Sequence, residues 1–205
     1  MLNSTHPKAS SYQIIKSTEI TEKAFQRAVA LIREGVTEPE INRPYFTTVA
    51  EEGALPVFIC IGGGYRSVFS NITATDYQFK KGDLIRYDSG CIYKYYYSDA
   101  ARTAIVGKPT EKQSTYYRAI RAGEDRALEL LRPGGRASEI FKEVVKRVRE
   151  SGIPHYQRGN HVGHGIGIEG YAPPSSPRHP IKSLRKGWWY VSRFLTMRSG
   201  LGGSP

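Results

Sequence analysis

GDLIRYDSGCIYKYYYSDAART, Gly82 to Thr103, is the stretch whose reading decides the fold. It places two carboxylates, Asp88 and Asp99, eleven residues apart in β-prone sequence. Both are equally distant from the midpoint between Tyr93 and Lys94. A chain reversal there would set them facing each other across an antiparallel pair. Directly opposed carboxylates repel, and a divalent cation is the simplest group to offset that. Each aspartate alone also has a structural explanation: Asp88 as the cap of a turn at Ser89-Gly90, Asp99 as the partner of Arg102. A second signal follows at HVGHGIG, His161 to Gly167. There His164 stands between Gly163 and Gly165, residues that let a backbone approach a bulky centre closely. Carboxylate and imidazole donors together suit zinc, manganese, cobalt or iron. His161 reads either as a substrate-side group or as a polar loop residue.

Working outward, the first 16 residues read as a polar tail or linker and residues 17–205 as one domain. Ser17 to Glu34 predicts an amphipathic helix with Ile20, Ala24, Ala28 and Leu31 on one stripe, ended by Gly35. Thr37, Pro39 and Glu40 form a new start signal, with capping threonine, first-turn proline and capping-box glutamate. The second helix should run to about Glu52, with a disturbance at Pro44. Val57 to Ile61 predicts a strand, and Gly62-Gly63-Gly64 a plain loop, since neither phosphate-loop spacing is met. Leu84 to Asp88 and Ala100 to Val106 predict strands, with Ile92 to Tyr97 between them. Thr110 with Gln113 opens a helix to Leu131, broken by Arg132-Pro133-Gly134-Gly135. Ser138 opens another to Glu150, with Ile140, Val144, Val145 and Val148 inward, stopped by Ser151-Gly152. The order halves into two units of paired helices plus strands.

The chain has 205 residues, 39% of them hydrophobic, enough for a normal core. No apolar run is long enough to span a bilayer, and MLNSTHPKASSYQ lacks an apolar signal core. The two cysteines, Cys60 and Cys91, form no close metal-binding pair and read as buried thiols. These features lead us to expect a cytoplasmic protein with no membrane partner. The net charge is +11. Residues 153–205 carry seven basic residues against one acid, Glu169, and so supply +6 of it. The excess is spread out rather than run together, which argues for a basic face and against a nucleic-acid partner.

The residues now carry a resemblance. KKGDLIRYDSG, YSDAARTAIVG, HVGHGIGIEGYAPP and the LRKG before the tail resemble the pita-bread family, which includes methionine aminopeptidase, aminopeptidase P, prolidase and creatinase. RAIRAGEDRALELLRPG and ASEIF are similar to the proline-peptidase branch. The resemblance covers about Thr18 to Lys186. It implies an α/β (α+β) fold with a curved antiparallel sheet and helices on its outer face. It also implies a site with two metal ions held by two aspartates, one histidine and two glutamates, where metal coordination activates a water. Asp88, Asp99 and His164 match the first three ligands, with Asp99 as the bridge. The implied activity is hydrolysis of short peptides of the Xaa-Pro type. The same fold also serves creatinase-like hydrolases of small carbon–nitrogen substrates, which use no metal, and non-catalytic binding modules. Dimerisation is common among the proline-cleaving relatives.

Departures from the pattern accompany the matches. Asn71 and Tyr171 stand where the peptidases carry substrate-contacting histidines. Asparagine cannot shuttle a proton, and tyrosine has a pKa near ~10. The expected glutamate after Lys186-Gly187 falls on Arg193, with Phe194 in place of the proline. Gly200 to Gly203 keeps the family's later glycine register, and the sequence ends at Ser204-Pro205 before the fifth ligand. Even the hairpin departs, since Tyr95 sits where the relatives tend to turn on glycine. The expectation is a truncated or locally altered copy, with the last strands missing, two glutamate ligands lost, one metal ion or none, and impaired hydrolysis. A local reading-frame slip could produce the tail WWYVSRFLTMRSG.

Overall fold

The computed structural model describes residues 8–157, 161–172, 184 and 189–192. The chain divides into two compact units, whose main segments are Ser10–Thr110 and Glu111–Phe194. The division falls where the order of elements halves.

The first unit carries α1 (Lys8–Val29), α2 (Glu38–Glu51), β1 (Leu55–Gly63), β2 (Leu84–Tyr93), β3 (Tyr96–Tyr97) and β4 (Ala100–Ile105). Helix α1 begins at Lys8, within the stretch expected as a polar tail. Ile14 and Ser17 are buried, so apolar packing reaches further toward the N-terminus than the stripe suggests. Ile20, Ala24 and Ala28 are buried as expected, but Leu31 is exposed because the helix has ended at Val29. Helix α2 starts as its signal predicts. The Glu40 carboxylate accepts the Thr37 backbone N–H at 2.8 Å and the Thr37 hydroxyl at 2.7 Å. Pro44 lies inside this helix without ending it.

Strand β1 is longer than expected because Gly62 and Gly63 continue it; Gly64 then opens a short 3₁₀ turn to Val68. A Cβ on Gly63 would lie 2.5 Å from the Phe79 ring, so glycine is what lets that aromatic close on the strand. Strand β2 is the centre of an antiparallel sheet, with β1 on one side and both β3 and β4 on the other. The reversal after β2 occurs on Lys94 and Tyr95, whose φ values are +46° and +76°. Two consecutive left-handed residues match the right-handed twist of a tight hairpin. The core lies between this sheet and the helices. Ile20, Phe25, Ile41, Tyr45 and Val49 meet Ile61, Ile85, Tyr87 and Cys91. Phe25 stands edge-on to Tyr87 with ring centroids 4.9 Å apart. Burial pushes the Tyr45 hydroxyl up to about 12 and raises the Cys91 thiol.

The second unit carries α3 (Glu111–Leu130), α4 (Ala137–Glu150), β5 (Gly163–Ile166) and β6 (Trp189–Ser192). Both helices start and stop within a residue of their signals. Ile140, Val144, Val145 and Val148 are all buried, as their spacing requires. Gly134 and Gly135, in the break between the helices, exchange backbone hydrogen bonds with Leu184 at 2.8 Å each. Trp189–Ser192, within the tail, pairs antiparallel with β5. Trp, Tyr and Val are strand-prone residues, and β5 offers them an edge. Arg193, Phe194 and Gly200 to Pro205 lie outside the described residues. Among the described residues no helix is long and apolar enough to cross a membrane. The architecture is α+β, with small antiparallel sheets flanked by helices.

Candidate metal centre

Asp88 is in the middle of β2 and 1% exposed. It is paired with Cys60 on β1 and Ala101 on β4. It caps no turn, because Ser89 and Gly90 continue the strand. Nor does it face Asp99. The reversal sits one residue later than the midpoint of the two aspartates, so the partner of Asp88 is Ala101, two positions beyond Asp99. Asp99 falls outside the ladder, so the two acids are not an opposed pair. Asp99 itself lies in the step between β3 and β4 and is half-buried. Arg102, the alternative partner for Asp99, ion-pairs with Glu22 and lies over the Phe25 ring.

The residue that sequence reasoning passed over is Arg86. Residues two apart on a strand share a face, so Arg86 and Asp88 project together. The Arg86 Nη2 donates to Asp88 Oδ2 at 2.8 Å, and both side chains are buried. The Arg86 Nη1 donates to the carbonyls of Phe69 and Ser70 at 2.9 and 2.6 Å. Asn71, the next residue, is exposed in a bend. Strand alternation at positions 86 and 88 was the available signal.

The imidazoles belong to the second unit. His164 is on β5 and 1% exposed. Its Nδ1 lies 2.9 Å from the Gly165 carbonyl oxygen. When Nδ1 carries the proton it donates to that carbonyl, and a histidine in this tautomer presents Nε2 as its ligating nitrogen. Gly165 also exchanges two backbone hydrogen bonds with Ala172, at 2.8 and 2.9 Å. That closure turns Tyr171 back over β5, where its ring lies 4.4 Å from the His164 ring. The His161 ring lies 5.4 Å from Tyr171 and 6.0 Å from His164. Thus Asp88 and Asp99 belong to the first unit, and His161, His164 and Tyr171 form a cluster in the second.

These donors do not fit a two-ion centre. Asp88, the first expected ligand, already holds a guanidinium at hydrogen-bond distance. Among the described residues no group of three or more His, Cys, Asp and Glu side chains is placed to hold a metal ion.

Residues 13–187 match the model of metallopeptidase family M24. The chain belongs to that family. Among M24 relatives, the Xaa-Pro dipeptidase of Pyrococcus horikoshii is 34% identical over 177 residues, 85% of this chain and 50% of the relative. The Xaa-Pro dipeptidase of Pyrococcus furiosus is 33% identical over 176 residues. The chain spans about half the length of the curated relatives it matches. Among solved structures, the prolidase from P. furiosus superposes with a TM-score of 0.85 at 30% identity, over 94% of this chain and 59% of that one. The X-Pro aminopeptidase from Thermotoga maritima gives a TM-score of 0.84 at 28% identity, over 92% and 53%. The α+β architecture is therefore the M24, or pita-bread, topology.

Proposed function

We propose that this chain is a hydrolase-type domain of the Xaa-Pro dipeptidase and aminopeptidase kind, with impaired hydrolysis. Residues 17–205 work as its catalytic-type domain. The substrate class is a short peptide with proline after the scissile bond, or a small amide. Asp88, Asp99 and His164 are the retained metal-ligand positions, and they hold one divalent ion (manganese, cobalt, zinc or iron) or none. His161, Asn71 and Tyr171 are the substrate-side residues. A second copy of the chain is the expected macromolecular partner, and nucleic acid is not. Cytoplasmic residence is supported by cysteine usage, two thiols and no disulfide.

One observation carries this reading. The chain is 34% identical to a Xaa-Pro dipeptidase over 85% of its length, a stretch that includes both Asp88 on β2 and Asp99 just before β4. The Arg86 ion pair supports impairment. The test is release of proline from Gly-Pro and Ala-Pro with manganese, cobalt or zinc added, run beside the P. horikoshii dipeptidase. Slow release that Asp99→Asn abolishes is expected. Turnover equal to the comparison enzyme would refute impairment, and no release with any metal would refute the hydrolase reading.

A creatinase-like reading, metal-free cleavage of a small carbon–nitrogen substrate, is favoured by the His164 geometry. The imidazole is buried, with Nδ1 2.9 Å from the Gly165 carbonyl oxygen and its ring 4.4 Å from that of Tyr171. Turnover of such a substrate in the presence of chelator, lost in His164→Asn, would establish it.

A further inference from the structure

Arg86 and Asp88 are buried side by side on β2, and the pair asks what neutralises the Asp88 charge. A carboxylate removed from water must be paired or hydrogen-bonded. Arg86 does this at 2.8 Å. It is not a surface residue that has swung inward, because its side chain is itself 7% exposed. Its second terminal nitrogen is spent on the Phe69 and Ser70 carbonyls. Three acceptors thus fix one guanidinium, whose planar fork favours such multiple bonding. Arginine does not lose its proton in proteins, so the positive charge beside Asp88 is permanent. A divalent ion on the same carboxylate would have to approach that charge in a dry setting, where like charges repel strongly.

We propose that Arg86 is the resident counter-cation of Asp88, filling the electrostatic role a divalent ion would otherwise have at this carboxylate and clamping the Phe69–Ser70 loop to β2. Asp88 in this chain is then an anchor for the loop that carries Asn71. The inference rests on the ion pair alone and does not require the hydrolase reading, since its test does not measure turnover.

The full chain is compared with Arg86→Met, Asp88→Asn and the double variant. Free manganese(II) is followed by electron paramagnetic resonance and thermal midpoints by circular dichroism. Wild type and Asp88→Asn should leave the same fraction of manganese free. Chelator or manganese should move the midpoints of wild type and Asp88→Asn equally, if at all. Each single substitution should lower the midpoint, and the double variant should lose less than the sum of the two, because residues in contact couple. Manganese uptake by wild type that Asp88→Asn abolishes overturns the proposal, and so do single effects that simply add. Where a variant does not fold, wild type alone decides by nuclear magnetic resonance. The Asp88 side-chain carboxyl carbon keeps its chemical shift when diamagnetic zinc is added if Arg86 holds the site, and moves if the ion does.

Discussion

Glu38 and Arg66 form an ion pair at 3.0 Å in which the carboxylate is 0% exposed and the guanidinium 17% exposed. The same carboxylate accepts the backbone N–H groups of Gly63 and Thr75 at 3.1 and 2.8 Å. One side chain from the first turn of α2 thus ties the end of β1 to two later loops. Glu38→Ala should destabilise the chain by about 3–5 kcal/mol, the cost of breaking a buried pair and stranding its partners. Glu38→Gln, which keeps some of the hydrogen bonds, should cost less. Urea denaturation of the three proteins measures both.

Tyr95 points the other way. It holds φ at +76° and is 82% exposed, so it carries backbone strain and little packing. Tyr95→Gly should stabilise by roughly 0.5–1 kcal/mol, because relief of the left-handed conformation outweighs the added entropy of the unfolded chain. Tyr95→Asn should give part of that gain. A rise in the urea midpoint at unchanged slope is the expected result.

At Gly90 the sheet tolerates no side chain. A Cβ there would overlap the Ser98 carbonyl oxygen and lie 2.9 Å from the Phe58 ring. Gly90→Ala should cost about 1–3 kcal/mol through overpacking. Faster amide exchange at Ser98, whose N–H bonds the Cys91 carbonyl at 2.9 Å, would localise the damage.

Acid stability should depend on Glu40 and Glu52. The backbone and hydroxyl hydrogen bonds from Thr37 hold the Glu40 carboxyl below its ordinary value. Hydrogen bonds from Lys23 and then Lys16 do the same for Glu52. A lowered folded value means the unfolded chain binds more protons in acid. The contribution is therefore present above the unfolded carboxyl value of about 4.3 and lost as pH falls through the lower folded value. Glu40→Gln and Glu52→Gln should each flatten the acid limb of the stability profile and leave its alkaline limb unchanged.

Burial raises the Cys91 thiol, although hydrogen bonds with Ser98 and Thr21 oppose the shift. The native protein at mild alkaline pH should modify first at Cys60, which is half-buried. In a Cys60→Ser background, Cys91 should react with an aromatic disulfide only as fast as the chain unfolds.

Much of the fold was legible because its signals are local. The capping box at Thr37 and Glu40, the stripe on α4 and the Arg132–Gly135 break each act within a turn or two of chain. What sequence reasoning missed depended on register and tertiary contact. The symmetric placement of Asp88 and Asp99 suggested direct opposition, but two residues of the hairpin take left-handed φ at Lys94 and Tyr95, and that moves the ladder by two positions. Arg86 was hidden because its meaning lies in the burial of its strand. Charged residues on a strand more often face water, and only packing against the Phe69–Ser70 loop turns this one into a partner for Asp88. Tyr171 read as a lost histidine, whereas the bridge between Gly165 and Ala172 folds it onto His164.

The step at Ser98 and Asp99 interrupts one edge of the sheet. Ser98 lends its hydroxyl to the Cys91 N–H at 3.0 Å, and Asp99 belongs to neither β3 nor β4. Asp88, by contrast, is laced into ladders on both sides. The two acids therefore have different structural settings. A change at 88 would break a buried ion pair at the centre of the sheet and cost stability, whatever chemistry the site performs. A change at 99 would meet a joint that can absorb it. Persistence of Asp88 in a lineage would thus testify mainly to architecture, whereas persistence of Asp99, which lies in neither ladder, would have to be explained on other grounds.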